Sequence, residues 1–94
     1  MAPVRFAPEA LADLEEIRAF IARDNPNAAL SWIEKLTDRA ERASFAPRSG
    51  RVVPEIGNPD VREVFLRTYR IIYRVERHGI LVITVIEGHR LLRR

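Results

Sequence analysis

Residues 69–90, YRIIYRVERHGILVITVIEGHR, decide the fold of this chain. The first seven alternate with a period of two, which is the pattern of a β-strand. One face then carries Tyr69, Ile71, Tyr73 and Val75, and the other carries Arg70, Ile72 and Arg74. Residues 76–79 are polar and end in glycine, as in a tight turn. Residues 80–86 are apolar on both faces and rich in β-branched side chains, which favours a covered central strand. We therefore predict a β-hairpin that forms the scaffold of the functional surface.

The size and composition of the chain indicate one small globular domain. It has 94 residues, of which 47% are hydrophobic, so it can form a single modest core. It has no cysteine, which excludes disulfides and cysteine metal sites and fits a reducing compartment. No apolar run approaches the ~20 residues of a membrane helix, and no signal peptide is recognisable. We expect a cytoplasmic protein without a membrane association, cofactor or metal.

Charge is distributed unevenly along the chain. Residues 1–47 carry six basic and eight acidic side chains, whereas residues 48–94 carry ten basic and five acidic ones. Fifteen of the sixteen basic residues are arginine, which suits bidentate contacts with phosphate or carboxylate. A codon bias toward arginine, together with a solvated face, would explain the composition equally well. It would not explain why the basic excess lies in the half that is rich in predicted strands.

Two helices are predicted in the first half of the chain. The first begins at Pro8 and ends near residue 23, with an apolar stripe formed by Leu11, Leu14, Ile17 and Ile21. The second begins near Pro26, and its apolar seam consists of Ala29, Ile33, Leu36, Ala40 and Ala43. The link between them is short, which favours an antiparallel helical hairpin. Trp32 lies at the edge of the seam, either as a boundary aromatic residue or as a contact for a partner.

The remaining elements give an α+β fold in a single domain, residues 1–94. Short strands are predicted at residues 4–6, 51–53 and 61–67, besides the hairpin. The principal elements then follow the order β-α-α-β-β-β, with the helical hairpin packed on one face of a mostly antiparallel sheet. Two helices cover only one face. The other face of residues 80–86 is also apolar, so we expect either a partner on it or a sheet that curls over itself.

Several short motifs resemble those of the RelE/ParE toxin superfamily of bacterial type II toxin–antitoxin modules. Residues 10–17, ALADLEEI, resemble the A-x-x-D-L opening helix of that family, and GRVVPE at residues 50–55 is similar to its G-R-x-V-P-E stretch. REV at residues 62–64 and YRIIY at residues 69–73 match R-E-L/V and Y-R-I/L-x-Y. IEGHR at residues 86–90 resembles the closing H-G-x-R segment. Together the motifs span nearly the whole chain.

The resemblance implies a toxin role with one of two targets. RelE-like members cut mRNA on the translating ribosome without a metal, whereas ParE-like members inhibit DNA gyrase and do not cut RNA. Both are neutralised by a small antitoxin that wraps the toxin, and the module binds operator DNA through the antitoxin and can stabilise a plasmid. Two further hypotheses remain: a degenerate paralogue that only binds an antitoxin, and a direct nucleic-acid binder.

Departures from the nuclease pattern favour the ParE-like branch, and hence a protein that is not an enzyme. The tail LLRR at residues 91–94 lacks the tyrosine that nuclease members commonly carry. Glu87 stands where many members have histidine, and a carboxylate there would repel phosphate. If the chain were a nuclease, the resemblance would give catalytic roles to Arg62, Arg70, Arg90 and His89, with Glu55 as a further acid–base candidate. In a gyrase inhibitor the same arginines would contact the target.

Predicted partner contacts and structural alternatives complete the sequence-based picture. For antitoxin binding we expect the apolar residues Leu11, Leu14, Trp32, Ile83 and Val85. Arg70 is expected to pair with Glu63 across neighbouring strands, and such pairs stabilise little when they are exposed. Of the chain's two histidines, His78 lies in the predicted turn and is expected to be solvated.

Overall fold

The computed structural model describes residues 3–88 and confirms the predicted α+β fold. The helices are α1 (Pro8–Ala22) and α2 (Pro26–Phe45), followed by a 3-10 turn at Pro47–Ser49. The strands are β1 (Val4–Phe6), β2 (Arg51–Val52), β3 (Val61–Leu66), β4 (Tyr69–Glu76) and β5 (Gly79–Glu87). No helix in the described part of the chain is long and apolar enough to cross a membrane.

The five strands form one sheet in the order β1-β5-β4-β3-β2. β1 runs parallel to β5, and all other neighbours are antiparallel. β5 lies between β1 and β4, so the prediction of a central strand for this apolar segment is confirmed. β3 and β4 are joined by a two-residue turn, residues 67–68, so that the two strands form a tight hairpin.

A β-bulge interrupts the regular pairing of β5 with β4. Ile72 pairs with Thr84 and Tyr73 pairs with Val82, so that Ile83 is the extra residue. The Thr84 hydroxyl donates to Oδ2 of Asp13 in α1, and the backbone N–H of Val85 donates to the same oxygen at 3.0 Å. Asp13 therefore ties α1 to the sheet at the bulge.

The main core lies between the two helices and one face of the sheet. Asn25 caps α2 by accepting from the backbone N–H of Ala28 at 3.1 Å, and Pro26 fills the first helical position. The predicted seam of α2 faces inward, where Leu36 and Ala40 are 2% and 0% exposed. Tyr73 is fully buried on the same side, as the alternation of β4 predicts.

The second face of the sheet is covered in part by the chain itself, through a loop and neither by a partner nor by curling of the sheet, the two alternatives expected from the sequence. The segment after β2 folds back over β3 and β4, and Val53, Val61 and Ile72 form a second buried cluster beneath it. Ile56, Ile83 and Ile86 pack against this cluster and are partly buried. The cover comes from residues 53–60, whose Gly and Pro content indicated a loop but not the surface on which it lies.

Candidate functional site

Arg70 lies at the centre of a chain of ion pairs on the second face of the sheet. Its Nε donates to Oε1 of Glu63 at 2.7 Å, and its two terminal nitrogens donate to the carboxylate of Glu55 at 2.7 and 2.9 Å. The other oxygen of Glu63 accepts from Arg51 Nε at 2.8 Å. Arg51, Glu63, Arg70 and Glu55 thus alternate in charge, and we call this set the arginine–glutamate chain.

The geometry of the β3–β4 hairpin places the members of this chain together. Arg70 is directly opposite Phe65, and Glu63 is opposite Ile72, so Glu63 and Arg70 are diagonal neighbours on one face. The predicted Glu63–Arg70 pair is therefore present, but it is not the exposed pair that the sequence suggested. The Glu63 side chain is 0% exposed and that of Arg70 is 6% exposed. Removal of one partner from a buried ion pair leaves the other charge buried and uncompensated, which lowers the stability of the folded chain.

The carboxylates around Arg70 keep its guanidinium protonated and accept its hydrogen bonds. The hydrogen bonds to Glu55 raise the pKa of Arg70 most; burial lowers it, but the hydrogen bond to Glu63 and the charges of both carboxylates add to the increase, so that the pKa lies above its ordinary value. A phosphate could reach the guanidinium only by displacing Glu55, and it would then approach two carboxylates of its own charge. In this arrangement Arg70 stabilises the fold and is poorly placed to bind an anion.

Arg62 is also engaged, and on the opposite face of the sheet. It is opposite Tyr73, which faces the helices, whereas Arg70 shares the second face with Glu63. Arg62 Nε donates to the carbonyl of Pro59 at 2.7 Å, and Nη1 donates to those of Arg48 and Gly50 at 2.9 and 3.1 Å. Arg62 therefore fixes the backbone on both sides of β2, and the structure does not bring it together with Arg70.

Two of the predicted site residues, His89 and Arg90, lie outside the described residues. Glu87, just before them, receives a hydrogen bond at 3.1 Å from the Thr68 hydroxyl on Oε2. Its Oε1 is buried and has no hydrogen-bond partner within residues 3–88. Burial, and next the negative charge of Glu87, raise the pKa of the neighbouring Tyr69.

Glu87 lines a groove between α1 and the ends of β4 and β5 that sequence reasoning missed. The groove has a volume of about 430 Å³. Its wall contains three carboxylates and an apolar floor, contributed by Asp13, Glu16, Glu87, Ile17, Phe20, Tyr69, Val85 and Ile86. We call it the acidic groove. The helical spacing of Asp13, Glu16 and Phe20 places them on one side of α1, but only the fold brings Glu87 to them.

Trp32 lies beside the acidic groove and is surrounded by cations. Its ring meets that of Tyr69 edge-on, with centroids 6.1 Å apart. Lys35 Nζ lies 5.4 Å from the Trp32 ring centroid and Arg67 Cζ lies 6.0 Å from it, both within the range of a cation–π contact. Trp32 is partly buried, so it is a boundary residue between the core and the surface. No pattern in the sequence predicted the contact between Arg67, in the β3–β4 turn, and Trp32.

The five residues predicted to bind an antitoxin do not form one surface. Leu14 and Val85 are 8% and 3% exposed and belong to the main core, where a partner cannot reach them while α1 covers the sheet. Leu11 is 55% exposed on α1, whereas Ile83 packs on the second face of the sheet. Their antitoxin contacts stay a prediction. Apolarity alone identified Leu14 and Val85, and it does not separate core residues from contact residues.

Comparison with known proteins places the chain in a family. No curated protein sequence matches it. Among solved structures it is similar to one described as the chromosomal ParDE TA system from P. aeruginosa, with a TM-score of 0.77 and 20% sequence identity over 93% of this chain and 96% of that chain. That likeness shows a shared fold. A sequence model described as the ParE toxin of type II toxin-antitoxin system, parDE, matches residues 4–92. The match covers nearly the whole chain, which therefore belongs to the ParE toxin family of type II toxin–antitoxin systems.

Proposed function

We propose that this chain arrests growth by inhibiting DNA gyrase through protein–protein contact, and that a cognate antitoxin neutralises it. Membership of the ParE toxin family gives the toxin role. The observation that carries the choice of target is the state of Arg70, whose donors are taken by Glu55 and Glu63. Because these donors are already bound to carboxylates, Arg70 cannot readily stabilise the phosphate of an RNA during cleavage. This favours a toxin that acts by binding another protein.

The alternative, metal-free cleavage of mRNA, requires several groups that converge on one phosphate. A base must take the proton of the 2′-hydroxyl, an acid must protonate the leaving oxygen, and cations must stabilise the charge of the transition state. Arg62 and Arg70 lie on opposite faces of the sheet, and Glu55 is bound to Arg70. Within residues 3–88 the candidates predicted from the resemblance therefore do not converge, which favours gyrase over the ribosome as the target.

An antitoxin as the partner is supported by the exposed apolar surface of the helices. Four large apolar side chains on α1 and α2 are between 55% and 65% exposed, namely Leu11, Phe20, Leu30 and Phe45. Where such side chains lie next to one another, their burial against a partner would stabilise the complex. The similar P. aeruginosa structure is described as a ParDE system, and the same pairing is our proposal for this chain. Operator DNA would then be bound only through the antitoxin, in the cytoplasm.

The choice between gyrase and the ribosome is tested by inducing the chain in bacterial cells without an antitoxin and mapping the 5′ ends of mRNA during growth arrest. We expect arrest with intact messages, together with relaxed plasmid DNA. Cuts inside translated codons would contradict the proposal and make the chain a ribosome-dependent nuclease. Normal growth with a folded, soluble chain would contradict the toxic role and favour a paralogue that only binds an antitoxin.

A further inference from the structure

The turn between β3 and β4 holds an arginine in a backbone conformation that arginine rarely adopts. Arg67 has φ 54°, and it is the one non-glycine residue within residues 3–88 with a positive φ. A Cβ is crowded in this region, which glycine and asparagine occupy more readily. Two-residue hairpin turns accordingly favour pairs such as Asn-Gly. Arginine is therefore a poor choice for the turn itself, and such strain is a reason to look for a function in the side chain.

The side chain of Arg67 forms part of a compact surface of aromatic and cationic groups. We define the cationic aromatic patch as Trp32, Lys35, Arg67 and Tyr69, which are linked by the ring and cation contacts around Trp32. Neither Lys35 nor Arg67 makes an ion pair with another residue of the described chain. Tryptophan, tyrosine and arginine are the residue types that contribute most to protein interfaces.

The charges around the patch favour an acidic protein surface over a nucleic acid. On the far side of Tyr69 lies the acidic groove, whose carboxylates belong to Asp13, Glu16 and Glu87. A nucleic acid binds along an extended row of cations. Here the carboxylates next to the cationic aromatic patch would repel its phosphates. A protein surface can instead place single carboxylates on Lys35 and Arg67 and an apolar group on Trp32.

We infer that the cationic aromatic patch is the surface through which this toxin contacts its protein target, and that the target presents carboxylates to Arg67 and Lys35. This inference rests on the proposed function, since it assigns a surface to the contact that arrests growth. Arg67 is then retained in its strained conformation because its guanidinium is needed on the target.

The test is Arg67→Asn, which removes the cation but fits the backbone better. We expect this variant to unfold at the same temperature as the wild type or a higher one, because asparagine adopts positive φ more readily. Its potency in growth arrest without antitoxin should nevertheless fall about tenfold, as for loss of an interface contact of moderate strength. Arg67→Lys keeps the charge and should retain most of the potency, and Lys35→Gln should show a smaller loss than Arg67→Asn.

Arg77→Asn provides the matched control, because Arg77 is exposed in the β4–β5 turn and lacks a positive φ. It should leave the arrest unchanged and should not raise the unfolding temperature. Full potency of folded Arg67→Asn would overturn the inference alone. A wild-type chain that leaves growth unchanged would overturn the proposed function and the target contact with it, so the two failures are distinguishable.

Discussion

The two arginines nearest the β3–β4 turn, Arg67 and Arg70, are used in opposite ways. Arg70 is buried, and the hydrogen bonds of its guanidinium go to Glu55 and Glu63 within the same chain. Arg67, three residues earlier, is exposed over Trp32 and has no ion pair with the described residues. An arginine is therefore a candidate for binding a partner only when the fold does not already pair its guanidinium with a carboxylate of the same chain.

The largest effect in this comparison is expected from Arg70→Met. This change leaves Glu63 buried with one partner fewer and removes both hydrogen bonds to Glu55, so the free energy of unfolding should fall by about 3–5 kcal/mol. Urea denaturation followed by circular dichroism measures it. Arg74→Met is the control, since Arg74 is on the same strand but 51% exposed, and its effect should stay within about 0.5 kcal/mol.

A double variant shows whether this loss comes from the stranded charge. Arg70→Met combined with Glu63→Gln should be less destabilised than the sum of the two single changes, because the uncompensated carboxylate is absent. Strict additivity would contradict the account of a coupled buried chain. Any loss of growth arrest in Arg70 variants is evidence about the target only if the variant is shown to be folded.

A smaller loss of stability is expected from Arg62→Met. Three backbone carbonyls, those of Arg48, Gly50 and Pro59, would lose a donor, but they are exposed or only partly buried and can bind water instead. The total loss in the free energy of unfolding should therefore be about 1.5–3 kcal/mol. Arg62→Lys keeps the charge but cannot span the three acceptors, so it should recover only part of the loss. If lysine restored full stability, the charge of Arg62 and not its fork of donors would be what matters.

The smallest effect is expected from Arg5→Met, and it should depend on pH. Arg5 donates to both oxygens of Glu76 at 2.7 and 2.8 Å, and these hydrogen bonds lower the pKa of Glu76 below its ordinary value of 4.5. The pair therefore stabilises the folded chain above pH 4.5 and loses this effect as the pH falls through the folded pKa. Wild type and variant should differ slightly in unfolding temperature at pH 7 and converge once the pH has fallen below the lowered pKa of Glu76. A difference that grew on acidification would contradict this sign.

The elements of the fold could be predicted from the sequence because each follows a local rule. The seam of α2 and the alternation of β4 identified the buried faces of Leu36 and Tyr73, and Asn25-Pro26 marked the helix boundary. The bulge at Ile83 could not be predicted in this way, since an uninterrupted apolar run carries no signal of register.

The candidate surfaces were less predictable, because they depend on contacts between distant parts of the chain. Glu63 alternates with apolar neighbours as an exposed residue would, yet its side chain is fully buried because Glu55, eight positions earlier, returns over the sheet with Arg70. The positive φ of Arg67 is likewise a property of the turn geometry, and the turn's residue types do not indicate it. The family motifs drew attention to Arg70 but gave no indication of its second partner, Glu55.

The central claim is that this chain acts by binding gyrase, and the most direct test is the supercoiling of relaxed plasmid DNA by purified DNA gyrase with increasing amounts of the purified chain. The account predicts that supercoiling declines as wild-type chain is added, that it declines equally with Arg77→Asn, and that about tenfold more Arg67→Asn is required. Undiminished supercoiling at a large excess of folded wild-type chain would contradict the claim.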